Sequence, residues 1–162
     1  MEKSTLTEVL KLVISVVVCL LAGFIGSFFT TPSIPTWYAT LKKPPFSPPN
    51  WLFAPVWTTL FVLMGISAFL VWRRGLDDRL VRIALGIFGV QLILNILWSA
   101  MFFGLKSPLA GLIDISILWI AILLTIINFF KISQVASFLL IPYILWVSFA
   151  AFLNFSLWRL NT

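Results

Sequence analysis

Trp37-Tyr38-Ala39-Thr40-Leu41-Lys42-Lys43-Pro44-Pro45-Phe46-Ser47-Pro48-Pro49-Asn50-Trp51 separates two long apolar runs and decides how the rest of the chain is read. The stretch is too proline-rich for helix and too aromatic for a plain linker. Seven of the nine prolines (Pro32, Pro35, Pro44, Pro45, Pro48, Pro49 and Pro55) fall in it or beside it. Each fixes φ and removes a backbone donor, so an extended, semi-rigid loop is expected. Such a loop, carrying Trp, Tyr, Phe and two lysines between membrane-length runs, has the character of a lid over a site.

Outward from the loop, the chain is 61% hydrophobic and 10% charged, with a mean hydropathy of +1.10. A soluble domain carries about 25% charged residues, so this composition is that of an integral membrane protein. A span needs roughly 20 apolar residues. Five runs qualify, at about 7–29, 51–72, 80–103, 108–130 and 134–158. They are apolar on all sides, whereas barrel strands alternate over roughly 10 residues. The expected fold is all-α: one five-helix transmembrane domain over residues 1–162, with the lid loop at 30–50.

The first run has no small-residue cleavage signal, and its apolar core from Leu12 to Phe29 exceeds a signal peptide's, so it reads as a retained span. Cys19 is then a lone buried thiol without a disulfide or metal role. On one side of a five-span chain lie Lys3, Lys11, Arg73, Arg74, Arg79, Arg82 and Lys131; on the other lie Lys42, Lys43, Lys106 and Arg159. The bias places the N-terminus in the cytoplasm and the proline-rich loop outside, in a bacterial-type membrane. The net charge of +6 suits anionic lipid headgroups. No basic stripe interleaved with exposed aromatics suggests nucleic acid.

The inventory of reactive groups is short. There is no histidine, one cysteine, and five acids: Glu2, Glu8, Asp77, Asp78 and Asp114. A Ser/His/Asp or Cys/His constellation, a metal cage and an axial haem histidine are all excluded. No phosphate-binding glycine loop is present, and no cofactor is expected. The polar residues within spans are therefore packing contacts or site contacts. Gln91 and Asn95 are four apart, and Trp98, Ser99 and Phe102 continue that face. They either join helices by hydrogen bonds or line a cavity. Asp114, the one acid inside a span, either pairs locally or biases a cavity.

In the fifth span Trp146, Ala150, Leu153 and Asn154 share a face on which a large ring is followed by a small residue, leaving room for something flat. Trp57, Phe61 and Met64 repeat the pattern in the second span. Asn128 and Asn154 read as structural. Trp51, Trp72 and Trp158 read as interfacial anchors. Ala22 and Gly26 form a small-xxx-small pair suited to close helix packing or dimerisation. Pro142 is expected to kink the fifth span.

These residues resemble the TspO/translocator protein family, the tryptophan-rich sensory proteins and peripheral-type benzodiazepine receptors. The likeness lies in Trp37-Tyr38-x-x-Leu41-x-Lys43-Pro44-x-Phe46-x-Pro48-Pro49-x-Trp51 and in Pro55-Val56-Trp57. It continues in Gln91-x-x-x-Asn95-x-x-Trp98, in Phe102-Phe103-Gly104, and in Pro142-Tyr143-x-x-Trp146-x-x-Phe149-Ala150-x-x-Leu153-Asn154. It runs in order from about residue 20 to the C-terminus.

The resemblance implies a five-helix protein, commonly a homodimer and in a eukaryote placed in the mitochondrial outer membrane, whose cavity beneath the first loop binds porphyrins and synthetic benzodiazepine-type or isoquinoline ligands. It implies that Trp57 and Trp146 stand at the pocket, with Ala150 and Leu153 lining it. Ala22 and Gly23 approach from span one, and Asn95 and Asp114 occupy polar positions. The further candidates at the site are Trp37, Tyr38, Lys42, Lys43, Pro44, Trp51, Phe61, Gln91 and Trp98.

With no axial histidine, a tetrapyrrole would be held by stacking and shape, with Lys42 and Lys43 meeting its propionates. The expected role is tetrapyrrole transport, regulation or stress response. The alternatives are light-dependent porphyrin degradation through Trp57 and Trp146, and a ligand-responsive scaffold for a partner membrane protein. Two residues depart from the family pattern: Phe46 stands where most members have Trp, and Phe155 replaces the Tyr of a sterol-recognition pattern. Membrane lipid is an expected partner; sterol is a weak one.

Overall fold

The structure, a computed structural model, describes residues 2–162, with side chains from Ser4 onward. The side chains of Glu2 and Lys3, which entered the charge count, lie outside the described set. Helix α1 is Glu2–Ser33, α2 Phe53–Trp72, α3 Arg79–Ser99, α4 Pro108–Phe130, α5 Gln134–Leu139 and α6 Ile141–Leu160. Together α5 and α6 make the fifth membrane-length helix, so five helices among the described residues are long and apolar enough to span. The apolar side chains face outward as well as inward. On α4, Ile113, Ile117, Ile120, Leu124 and Ile127 form one exposed stripe at helical spacing. That surface is stable against lipid and not against water.

Two expectations shift at the prolines. α1 continues through Pro32 to Ser33, so the loop begins later than residue 30. Only one helical bond is lost there, in the last turn, and Ile34 N still donates to Thr30 O at 3.1 Å. The loop is also not wholly extended: short 3₁₀ turns at Tyr38–Thr40 and Asn50–Leu52 flank its extended middle. The fifth span breaks at Leu140, and Pro142 sits in the first turn of α6, where its missing N–H costs nothing. Ser107 and Ser133 cap α4 and α5 by accepting from Ala110 N and Ala136 N.

Helices α1 and α2 cross at Gly65, where a Cβ would stand 2.5 Å from the Cα of Val16. Only glycine permits that approach. Nearer the ends, the Glu8 carboxylate lies 3.1 Å from Arg73 and 3.5 Å from Lys11, whose ammonium sits 5.9 Å from the Trp72 ring. These contacts tie the start of α1 to the end of α2. Ser67 Oγ donates to Ala136 O at 2.6 Å and joins α2 to α5. Cys19 is buried and free. Ala22 and Gly26 are buried within the protomer, Gly26 against Ser99, so the small pair serves packing between α1 and its own neighbours.

One local departure from α-helix shapes the site. After Ser99 the chain makes a π turn over Ala100–Gly104, closed by Leu105 N donating to Ala100 O at 2.8 Å. Successive residues of an α-helix point about 100° apart. In the widened turn Phe102 and Phe103 are both buried. Gly104 admits the Phe29 ring, and Gly111 admits Phe102 and Asn154.

Candidate ligand-binding site

Beneath the proline-rich loop lies a cavity of about 420 Å³, walled by α1, α2, α3 with its π turn, and α6. Trp57 and Phe61 of α2 stand one turn apart, as do Trp98 and Phe102 on the α3 side. The four make a run of tilted to stacked rings. Phe61 and Trp57 are 5.7 Å apart at 31°, Trp57 and Trp98 6.4 Å at 30°, and Trp98 and Phe102 5.4 Å at 23°. Helix α1 contributes small residues, Ala22, Gly23 and Gly26. A Cβ on Gly23 would sit 2.7 Å from the Phe61 ring, so glycine lets that ring lie against the α1 backbone. From α6 come Trp146, Ala150 and Leu153 at i, i+4 and i+7.

The loop forms the roof. Tyr38 is buried, 5.8 Å from Phe103 and 6.5 Å from Phe102, and burial pushes its phenol pKa up. Trp37 packs edge-on behind it against Phe102 at 5.5 Å. Phe46 stacks on Phe152 at 5.2 Å, so a phenyl ring suffices for that roof contact. The Lys42 backbone and the Asn161 side chain exchange two hydrogen bonds, with Lys42 N donating at 2.9 Å and Asn161 Nδ2 at 3.0 Å.

Most polar groups of the cavity are already engaged. Asn95 Nδ2 donates to Tyr143 Oη at 2.7 Å, and Tyr143 Oη donates to Gln91 Oε1 at 2.7 Å. Trp98 Nε1 donates to Asn154 Oδ1 at 3.0 Å, and Asn154 Nδ2 to Pro108 O at 2.7 Å. Trp146 Nε1 differs: it is buried and has no partner. The arrangement offers an apolar, aromatic, ligand-sized space with one buried donor left unpaired among the described residues.

Ten of the seventeen site candidates named from the sequence line this space. They are Ala22, Gly23, Tyr38, Trp57 and Phe61, together with Asn95, Trp98, Trp146, Ala150 and Leu153. Seven are placed elsewhere. Trp37 backs the roof. Lys42 is exposed, and Lys43 Nζ turns back to donate to Tyr38 O at 2.8 Å over the Tyr38 ring, so it caps its own turn. Pro44 is buried within the loop, and Trp51 is 73% exposed at the start of span two. Gln91 lies behind Tyr143, holding its hydroxyl. Asp114 is buried on α4, which contributes no lining residue, and its Oδ2 has no hydrogen-bond partner.

The sequence reading missed other lining residues. Asn154, taken as structural, lines the cavity and also braces Trp98; its place at i+8 from Trp146 was the available signal. Phe103 enters only because of the π turn, which no period reveals. Ile34, Phe53 and Thr58 line it as well, brought there by the way the loop and α2 meet α1.

Five apolar helices long enough to span, four of them walling an aromatic cavity, define among the described residues a multi-pass integral membrane protein. The chain belongs to the TspO/MBR family, whose sequence pattern matches residues 15–159. It is 48% identical over 154 residues to the tryptophan-rich protein TspO of Chlorobaculum tepidum, covering 95% of this chain and 98% of that one. It is 51% identical over 155 residues to the TspO of Archaeoglobus fulgidus, covering 95% and 99%. The human translocator protein is 37% identical over 143 residues, covering 87% and 84%.

Proposed function

We propose that the protein binds porphyrins and related flat hydrophobic molecules in this cavity, and that it acts as a membrane receptor or translocator for them. The observation that carries the reading is the run Phe61, Trp57, Trp98 and Phe102 facing an apolar space of about 420 Å³. That volume falls within the roughly 300–1,000 Å³ of ligand pockets. Each offset ring pair formed with a planar ligand contributes about 0.5–1.5 kcal/mol beyond area burial. Trp146 Nε1 supplies a hydrogen bond to an acceptor on the ligand. The charge bias of the connections turns the loop away from the cytoplasm. Ligand carboxylates then meet solvent and the exposed Lys42 at the loop side.

A second reading is light-dependent breakdown of the bound porphyrin, with Trp57 and Trp146 as redox groups. It is favoured by the Tyr143 ring, edge-on to Trp57 at 6.3 Å: once Trp57 has given an electron to the photoexcited porphyrin, that phenol can return one to it, with dioxygen as the final oxidant of the porphyrin ring. One experiment separates the two. Tryptophan quenching of purified protein by protoporphyrin is measured in the dark and under light, with Trp57→Phe and Trp146→Phe alongside. Saturable dark binding weakened in the variants, without a new absorbing product, fits binding or transport. A light-dependent product lost in both variants fits breakdown. No saturable binding in the wild type would end both readings.

A further inference from the structure

We propose that the cavity is loaded sideways through a slot between α1 and α2, from the hydrocarbon of the leaflet on the loop side. Its ligand is then a molecule dissolved in the membrane, not one delivered from water. This rests on the reading of the cavity as a ligand site.

Residues on the outer surface of the bundle also line the cavity. On α1 these include Leu20, 36% exposed, and Phe24, 60% exposed; on α2 they are Ala54 and Thr58, both exposed. A side chain that faces both a cavity and the surroundings marks a breach in the wall. From Leu20 to Thr31, also an exposed lining residue, α1 rises about 16 Å at 1.5 Å per residue. That is about half of a hydrocarbon core roughly 30 Å thick. The breach therefore opens into acyl chains over the depth of one leaflet.

The two helices are fastened at the lower end of the slot and not higher up: Gly65 approaches Val16 below it, and Gly23 approaches Phe61 within its lower end. Higher up, the hydroxyls of Ser27, Thr30 and Thr58 bond to their own helices. Ser27 Oγ donates to Phe24 O at 2.6 Å, Thr30 Oγ1 to Gly26 O at 3.2 Å, and Thr58 Oγ1 to Ala54 O at 2.8 Å. None of these three spans the gap, so widening it breaks none of them. An apolar molecule passing through meets no orphaned hydroxyl donor among them. The roof is the opposite case. Access through it would require prising Tyr38 from Phe102 and Phe103, Phe46 from Phe152, and Lys42 from Asn161, while Asn50, an exposed lining residue at the start of span two, marks the upper end of the slot.

The test follows protoporphyrin binding to protein in lipid vesicles, read by stopped-flow quenching of tryptophan emission. Protoporphyrin is mixed in from water, and the change in its own emission reports its entry into the bilayer; on the lateral route the tryptophan quenching lags behind that entry. Ser27→Phe and Thr58→Phe narrow the slot and lower the association and dissociation rates together, by about tenfold. Loss of a ligand contact alone would raise the dissociation rate instead. Asn161→Ala loosens the roof and leaves both rates as they are.

The route is overturned if the slot variants keep wild-type rates, or if Asn161→Ala speeds both. The order of events needs no substitution and decides the matter even if a variant fails to fold: quenching that runs ahead of entry into the bilayer overturns the route. Absence of saturable quenching in the wild type is a separate result, which removes the ligand site and the route with it.

Discussion

Replacing Gly65 with alanine is expected to destabilise the bundle by about 2 kcal/mol. The new Cβ would stand 2.5 Å from Val16 Cα and 2.9 Å from Val16 N and Cγ2. Ordinary contact begins near 3.4 Å, so the shortfall is 3.4 − 2.5, about 0.9 Å. The obstacle is backbone and cannot rotate away; α1 and α2 must part by about that distance. A gap of roughly 0.5–1 Å forfeits a quarter to a half of the dispersion energy of the atoms it separates. Overpacking costs about 1–3 kcal/mol, and a backbone clash sits at the upper end. Alanine's better helix propensity returns about 1 kcal/mol. The measurement is unfolding by SDS titration in mixed micelles, followed by circular dichroism. Gly86→Ala is the control: its Cβ meets nothing within 4 Å in the protomer, so it should be neutral or stabilising by up to about 1 kcal/mol. Equal stability of Gly65→Ala and Gly86→Ala would refute the close crossing of α1 and α2.

Further outcomes follow from the polar contacts and from burial. Tyr143→Phe removes a hydroxyl that accepts from Asn95 and donates to Gln91, both buried, and should cost about 1–3 kcal/mol in the same titration. A loss below about 0.3 kcal/mol would mean that the two amides find other partners. Trp146→Phe keeps a ring but deletes a donor without a protein partner, so unfolding should shift by less than about 0.5 kcal/mol while protoporphyrin affinity falls about 5- to 10-fold. Cys19, buried and free, should react with a maleimide slowly in bilayers and rapidly in SDS. Fast labelling in bilayers would show that α1 is not seated as described.

The sequence by itself determined the membrane class, the five spans and the faces Trp57–Phe61 and Trp146–Ala150–Leu153. These depend on composition and on the 3.6-residue period, which are local properties. It also indicated an irregularity near Pro142, expected as a kink; the helix breaks at Leu140, and Pro142 lies in the first turn of α6.

It was less informative wherever a residue's role depends on what another helix brings to it. Gln91 and Asn95 share a face, yet Asn95 lines the cavity while Gln91 stands behind Tyr143. Lys43 reads as a charge at a mouth, and the fold of its own loop turns it onto the Tyr38 carbonyl and ring. Asp114 reads as a site acid, but it sits on the one long helix that gives the cavity no wall.

The π turn that brings in Phe103, the glycine contacts that set the spacing of α1 and α2, and the gap between those helices are three-body matters. Each depends on the distance and rotation of packed helices. A linear sequence does not carry those quantities; only the tertiary structure decided them.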